Sequence, residues 1–451
     1  MIGEDRVRAK DAPVKDVAGR GGADVRNGTH DDHGRALRLA YITGTYPLVT
    51  TTFIDREVRA LRRRGAEVEI VAARRPSADA PLSAEQRQLQ GSVRYLLPVR
   101  PLELLAAHLW FATLRPGRFF RTLAWLLTRP HPSLRTRAKT LLHFGEGVYA
   151  ASLLRTSTAR ELHAHFADRA ATIALVAGRL LDMPYSLSIH AAADIFVAPI
   201  LLREKVANAR HVVACTSYLT GYVLELVGRD LSGKVSTVRH GLDLAELPPP
   251  VRVPDATTLI LAVGQLKERK GFVQLIRACA ALRDLGYRFR CRIVGDGPQR
   301  EELEALIHRW SLEDVVTLCG ALRHDRVIEQ YRSATMFVLP CIRTGDGDVD
   351  GIPNVLAEAM ALAVPVISTT LPAIEELVSD GEDGLLIQPG DDAELVAAMR
   401  RLLDEPELRR ALGAGGRRTV VETFDVESNV QRFASMLWPD RFAEDGEVST
   451  G

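Results

Sequence analysis

Short apolar runs alternate along this chain with longer segments in which apolar side chains recur every third or fourth position. The first pattern fits strands buried on both faces, the second amphipathic helices. A strand is predicted over 37–42, a loop through Tyr46 and Pro47, a helix over 53–64 and a second strand over 67–72. Strand, loop, helix, strand opens a parallel α/β sheet, in which ligands bind beyond the carboxyl ends of the strands. The loop 44–52, with Gly44 at its start, then either faces a cleft or serves as a plain connection. Further strands are expected over 161–167, from Tyr185 with His190 and Asp194 at its exit, over 212–214 and over 235–243. Helices are expected over 168–181 and 216–227.

Pro248, Pro249 and Pro250, followed by Pro254, make a stiff connector, after which the same rhythm restarts. Strands are predicted over 259–263, 290–294, 315–319, 336–340, 366–368 and 385–387, and late helices over 394–403, 407–414 and 430–437. The chain therefore divides into an N-terminal Rossmann-like domain over 36–246, a linker over 247–257 and a C-terminal Rossmann-like domain over 258–420. A C-terminal helix over 421–440 is expected to cross back to the first domain. The fold class is α/β, two doubly wound domains facing a central cleft. Residues 1–35 and 441–451 carry too few large apolar side chains to order themselves and are expected to be disordered tails.

One segment departs from the pattern. Residues 94–155 of the first domain are expected to be long helices, and from Arg94 to Lys139 nine Arg or Lys face a single acid, Glu103. Trp110, Phe111, Phe119, Phe120 and Trp125 either press into a lipid headgroup region while the arginines meet anionic lipid, or belong to an insertion packed on its own domain.

Composition narrows the class. With 451 residues, 46% hydrophobic and 25% charged, the chain has material for two or three cores. A net charge of +1 supplies no global field for nucleic acid. Five scattered cysteines without CxxC spacing suggest neither a disulfide framework nor a zinc site, and fit a reducing cytosol. There is no signal-peptide core and no run of ~18 apolar residues that would span a bilayer. A cytoplasmic protein, soluble or peripheral on the inner face of the plasma membrane, is expected.

Candidate chemistry concentrates in residues 350–361. Gly351 permits unusual backbone angles, Pro353 suits the first helical position, and good helix formers follow. The mouth of the helix that begins there, over Pro353, Asn354, Val355 and Leu356, offers unpaired N–H groups and the positive end of a dipole to an anion, typically phosphate. Glu358 lies roughly 7 Å further along the axis, while Asp350 stays in the preceding loop. Carboxylates so placed accept hydroxyls rather than phosphate, which suits a diphosphate with a polyol at each end: a nucleoside diphosphate sugar. The alternative is an ordinary buried helix whose Glu358 is paired with an arginine.

Lys270, before a glycine and a new helix, is a further phosphate candidate, while Lys267 and Arg269 are expected to face solvent or approach the ligand. Gly295-Asp-Gly-Pro298 lacks the full GxGxxG, so a dinucleotide reading is weak. Asp346, Asp348 and Asp350 invite Mg²⁺ or Mn²⁺, but two α/β repeats and a lysine for the diphosphate argue against it, leaving Asp346 and Asp348 as solvated loop acids. His163 and His165 are read as alternating faces of their strand, only one of them toward the cleft. Together with His190 they lack helical metal spacing, so no metal site is assigned.

In this order the motifs resemble a family. Tyr46-Pro-Leu with Phe53-Ile, His163-Ala-His-Phe166, His190-Ala-Ala-Ala-Asp-Ile195, His240-Gly-Leu-Asp243, Lys270-Gly271, Gly295-Asp-Gly-Pro298, Gly351-Ile352-Pro353 with Glu358-Ala-Met-Ala361, and Pro365-Val-Ile-Ser368 are similar to those of glycosyltransferase family 4. This is the retaining class with the GT-B fold, here in its exopolysaccharide and colanic-acid-type form. The resemblance spans roughly Leu37 to Phe433. It implies that Glu358 holds the donor ribose, that the backbone after Gly351 meets diphosphate and sugar, and that Asp350 contacts the transferred hexose at a position usually held by glutamate. It further implies that Lys270 neutralises the leaving diphosphate, that His190 touches the sugar near the reacting carbon, and that the departing phosphate oxygen accepts the acceptor's proton without a metal. Gln265 departs from the pattern, since the family usually has arginine there as a second diphosphate cation; Arg269 or Lys267 then substitutes, or activity is reduced. The implied activity moves a hexose to a lipid-linked oligosaccharide or polysaccharide acceptor. Its rivals are another GT-B enzyme, such as a sugar-nucleotide epimerase, and a catalytically weak sugar-nucleotide-binding scaffold.

Overall fold

A computed structural model describes residues 37–190, 200–248, 258–345 and 347–442. The expected tails, most of the linker, Asp194 and Asp346 lie outside the described residues. Among the described residues thirteen strands form two all-parallel sheets. The first contains β1 (Arg38–Thr45), β2 (Glu67–Arg74), β3 (Val93–Tyr95), β4 (Glu161–His165), β5 (Tyr185–Ile189), β6 (Val212–Ala214) and β7 (Val235–Thr237), in the order β3-β2-β1-β4-β5-β6-β7. The second contains β8 (Leu259–Val263), β9 (Arg290–Val294), β10 (Val316–Leu318), β11 (Met336–Val338), β12 (Val366–Thr369) and β13 (Leu385–Ile387), in the order β10-β9-β8-β11-β12-β13.

Both orders reverse once, between β1 and β4 and between β8 and β11, and a parallel sheet opens its ligand crevice at such a reversal. The strand ends there carry Gly44, His165, Gly264 and the turn through Pro340. Helices cover both faces of each sheet because strands such as β4, β5 and β8 are buried at every position.

The short edge strand β3 occupies residues assigned from sequence to the helical segment. Arg94 and Tyr95 pair with Val71 and Ala72, and the helices begin only at Pro101. Three helices follow, Pro101–Leu114, Pro116–Thr128 and Leu134–Leu154. Of the two readings offered for the aromatic residues there, packing on their own domain describes four of the five. Phe111 and Phe119 are 0% and 6% exposed, inside the first domain's core. Trp110 lies under Arg155, and Trp125 is flanked by Arg129 and Arg179. Only Phe120 of the five is exposed; the apolar surface is made instead by leucines, among them Leu102, Leu105 and Leu109 on one helix face.

The last described helices return to the first domain. Val426, Val430, Phe433 and Leu437 of the helix Val426–Leu437 pack with Ile54, Val58 and Leu61 of the helix Thr52–Arg63. A backbone pair between Leu242 and Phe424, at 2.7 Å, and ion pairs from Arg63 to Asp243 and Glu427 hold the crossing in place.

Candidate functional site

The helix Asn354–Ala361 starts one residue after Pro353, whose extended ψ of 115° makes it the cap rather than the first turn. Leu356 N–H already donates to the Pro353 carbonyl at 2.9 Å, and the Leu356 side chain is in the core of the second domain. The N–H groups of Asn354 and Val355 are then those that helix geometry leaves without an intrahelical acceptor. Gly351 and Ile352 are half-buried in the loop before it. A Cβ on Gly351 would lie 3.2 Å from the His190 carbonyl oxygen, so the two domains touch backbone to backbone at this point.

Both acids flanking the helix mouth are already matched by cations. Glu358 Oε1 accepts from Arg56 of the helix Thr52–Arg63 at 2.6 Å, both side chains about 95% buried, and Glu358 Oε2 stands 3.5 Å from the Tyr331 hydroxyl. The alternative raised from sequence, a buried Glu358 paired with an arginine, thus describes this carboxylate, but its partner comes from the opposite domain. Asp350 meets Lys270 Nζ at 2.7 Å and Arg269 Nε at 2.8 Å. Burial works to raise the Asp350 pKa, and the two cations more than offset it, holding the carboxylate below its usual range.

Two expectations about neighbours change accordingly. Arg269 does not face solvent: its guanidinium spans Asp350 and Asp348, the latter at 2.6 Å, so Asp348 is an ion-pair partner rather than a solvated loop acid. Lys267 is half-buried, whereas Gln265 is exposed just beyond β8. Lys270 is carried to the cleft by Gly271, whose φ of 69° and approach to the Pro340 carbonyl leave no room for a Cβ, which would sit 1.8 Å from that oxygen. Gly44 is the second-last residue of β1, and among the described residues nothing lies within 4 Å of an added Cβ there.

The histidines form one assembly. His163 and His165 share a strand face, as residues two apart must, and their ring centroids are 4.8 Å apart, contrary to the alternating placement expected. His163 is held by Ser186 and Ser188, both at 2.9 Å. His165 Nδ1 meets His190 Nε2 at 2.8 Å, and His190 Nδ1 meets His240 Nε2 at 2.7 Å. Burial pushes all four imidazoles down in pKa, to about 3 for His163 and about 4 for His240, so they are neutral near pH 7. With both ring nitrogens of His190 engaged, contact between that ring and a sugar requires one of these bonds to open. Glu57, His163 and His165 place three ligand-type atoms within 4.8 Å of one another. Both nitrogens of His163 are committed to Ser186 and Ser188 and Nδ1 of His165 to His190, which leaves His165 Nε2, facing Glu57, without a hydrogen-bond partner among the described residues.

Sequence reasoning missed Arg56, Glu57 and Phe53 as site residues. The available signal was Phe53, Arg56 and Glu57 at helical spacing three and four, which puts two charged groups on the same face as an aromatic ring. His240 was recognised as part of a motif but given no role; its ring stacks on Phe53 at 4.2 Å and interacts with the Asn354 side chain.

A two-domain α/β protein with a helix mouth, paired acids and a lysine at the seam has the GT-B architecture. The chain's solved neighbours share it: sucrose-phosphate synthase from Thermosynechococcus elongatus superposes with a TM-score of 0.68 at 18% identity, covering 90% of this chain and 99% of that one. HepE from Anabaena, solved in complex with UDP-glucose, superposes with a TM-score of 0.66 at 15% identity, over 89% and 98% of the two chains. Residues 245–419 match the family described as glycosyl transferases group 1, so this part of the chain is similar to that family. Among sequence relatives, the putative colanic acid biosynthesis glycosyltransferase WcaL of Escherichia coli (strain K12) is 36% identical over 208 residues, 45% of this chain and 51% of that protein. The match thus spans about half the length of that relative.

Proposed function

We propose that the chain transfers a hexose from a nucleoside diphosphate sugar to a lipid-linked oligosaccharide or polysaccharide acceptor during surface or exopolysaccharide assembly, with retention at the anomeric carbon. The observation that carries this reading is the seam itself. The helix mouth at Asn354 opens toward the other domain with Asp350 and Glu358 on either side and Lys270 beside it.

In this reading the ribose hydroxyls use the acceptor sites of Glu358 not taken by Arg56, and the hexose hydroxyls use those of Asp350. A carboxylate offers about four lone-pair directions, so neither existing ion pair need break. Lys270 has three N–H donors, one of them spent on Asp350, and turns the others to the diphosphate as it leaves. The N–H groups of Asn354 and Val355 supply the helix-end contribution to the same charge. No metal is assigned to the reaction. The similarity to a colanic acid biosynthesis glycosyltransferase supports polysaccharide assembly, and the solved UDP-glucose complex of HepE supports a nucleotide-sugar donor.

In this reading the first domain lies against the cytoplasmic leaflet, where a lipid-linked acceptor is found, and its basic, leucine-faced helices support that position. Leu102, Leu105 and Leu109 are 82%, 56% and 56% exposed, and Arg115, Arg118 and Arg121 cluster around the turn that follows. Among the described residues no helix is long and apolar enough to cross a membrane, so the contact proposed is peripheral.

Purified protein incubated with radiolabelled UDP-, GDP- and ADP-sugars and a membrane extract tests the reading. Label recovered in lipid or polysaccharide supports it. Label in free or isomerised sugar favours an epimerase-type GT-B enzyme, and binding without turnover a scaffold; either outcome overturns it.

A further inference from the structure

The hydrogen-bonded histidines do more than fill space between the strand ends. We propose that Glu57 sets, through a file of three imidazoles, the proton arrangement that the first domain presents to the cleft, and exchanges a proton with the cleft along that file.

The file has two hydrogen-bonded imidazole links. At its inner end is an approach still open to closure, where His165 Nε2 is buried without a hydrogen-bond partner among the described residues and faces Glu57. It begins at Glu57, which accepts from the Tyr41 hydroxyl and lies 3.5 Å from His165 Nε2. It passes His165 to His190 at 2.8 Å and His190 to His240 at 2.7 Å, and ends at Asn354, the first residue of the helix in the opposite domain. Exposure follows the same order: His165 is sealed at 0%, His190 is 7% exposed, and His240 is half-buried at the seam. A cavity of ≈ 20 Å³, the size of one water, lies alongside and is lined by Glu57, His190, His240 and Asn429 among others.

Neutral imidazole carries one N–H and one lone pair, so each link fixes the next. When Glu57 is ionised, His165 donates from Nε2, which makes its Nδ1 an acceptor for His190 Nε2–H. His190 Nδ1 then accepts from His240 Nε2–H, and His240 Nδ1 is left as a lone pair on the cleft side. When Glu57 is protonated, its O–H donates to His165 Nε2 and every imidazole reverses, so that His240 Nδ1 carries a proton. Passage between the two states balances. One proton enters at His240 Nδ1, each imidazole passes its Nε2 proton inward, and Glu57 gains one; no imidazolium persists.

The surroundings favour a switch at this carboxyl. Burial raises Glu57 to about 7, and the Tyr41 hydroxyl works against that rise. Tyr41 and Phe433 pack on the His163 ring, which is itself held by Ser186 and Ser188 and offers no charge to the file. At the cleft end Arg56 disfavours a charged His240, which keeps the terminal imidazole neutral.

Glu57 is thus a positioning residue for the cleft. The proposal deepens the functional reading above, but its test does not require turnover, so the two fail separately. Full-length protein labelled with 15N-histidine reports each ring's tautomer in long-range 1H–15N spectra, with His165→Asn, His190→Asn and His240→Asn giving the assignments. The expected result is the Nε2–H form at pH 8 and the Nδ1–H form at pH 6 for all three, with the pH response lost in Glu57→Gln. Tyr41→Phe removes the hydrogen bond that favours the carboxylate, and moves the midpoint upward by roughly one pH unit. Tautomers unchanged between the two pH values, a switch that persists in Glu57→Gln, or a midpoint unmoved in Tyr41→Phe would each overturn the proposal.

Discussion

Arg56 and Glu358 stand 302 positions apart in the chain and share a 2.6 Å ion pair at the seam between the two domains. Each is the other's main means of being buried with a charge. Among the described residues Arg56 Nη1 has no hydrogen-bond partner, so this side of the pair is incompletely satisfied. Breaking a buried pair by removing one member costs about 3–5 kcal/mol, whereas replacing both with apolar groups is often near neutral. Arg56→Ala is therefore expected to lower the unfolding free energy by about 3 kcal/mol, and Arg56→Met with Glu358→Leu to recover most of it. Urea unfolding of the three variants checks this; equal losses for the single and double variants would mean that the pair contributes by shape alone.

The Asp350 cluster makes a prediction of opposite sign for binding and turnover. Asp350→Asn frees Lys270 and Arg269 from their shared carboxylate and leaves excess positive charge at the helix mouth. Affinity for UDP, or for whichever nucleoside diphosphate binds, is expected to rise by up to about tenfold, while sugar transfer falls because the hexose loses an acceptor. Lys270→Ala is expected to weaken the same nucleotide about tenfold or more. Calorimetric titration at fixed ionic strength measures both.

The leucine face predicts a binding loss with no cost to folding. Leu102, Leu105 and Leu109 are exposed, so replacing all three by serine leaves the melting temperature within a degree or two, as expected for surface substitutions. Co-sedimentation with vesicles containing anionic lipid is expected to drop several-fold. Arg115, Arg118 and Arg121 changed to alanine should remove chiefly the salt-sensitive part of that binding. Unchanged sedimentation in both variants would place the membrane contact elsewhere.

Acid sensitivity follows from the buried histidines. Burial pushes His163 down to about 3, below the value of an exposed imidazole. The unfolded chain then binds a proton that the folded chain refuses, so stability is present above about pH 6.5 and is lost as pH falls toward 3. One such group contributes at most about 1.4 kcal/mol per pH unit inside that window. His163→Asn is expected to flatten the slope of stability between pH 6.5 and 5 by roughly that amount, as read from urea midpoints. Glu57 and Glu161, both raised to about 7 by burial, act in the opposite direction, since they favour the folded state as pH falls through the same range.

Much of the architecture was legible from residue order. Buried parallel strands announce themselves as runs such as 259–263 and 212–214, because every position in them is covered by helices and must be apolar. The helix mouth at Asn354 was legible for a related reason, since glycine, proline and helix formers in succession act through local backbone preference. The edge strand β3 was not, because three residues beside a helical segment carry no period of their own. Nor was the burial of Phe111 and Phe119, since an aromatic stripe reads the same whether core or lipid covers it.

By itself the sequence determined two α/β domains, a helix end suited to an anion and the acids that flank it, since these follow from short-range pattern and backbone chemistry. Only the tertiary structure decided that Glu358 is met by Arg56, that Arg269 turns inward to Asp348 and Asp350, and that three histidines from β4, the exit of β5 and the segment after β7 line up between Glu57 and Asn354. Those contacts join residues tens to hundreds of positions apart, and charge pairing or imidazole order depends on distances that no local pattern encodes.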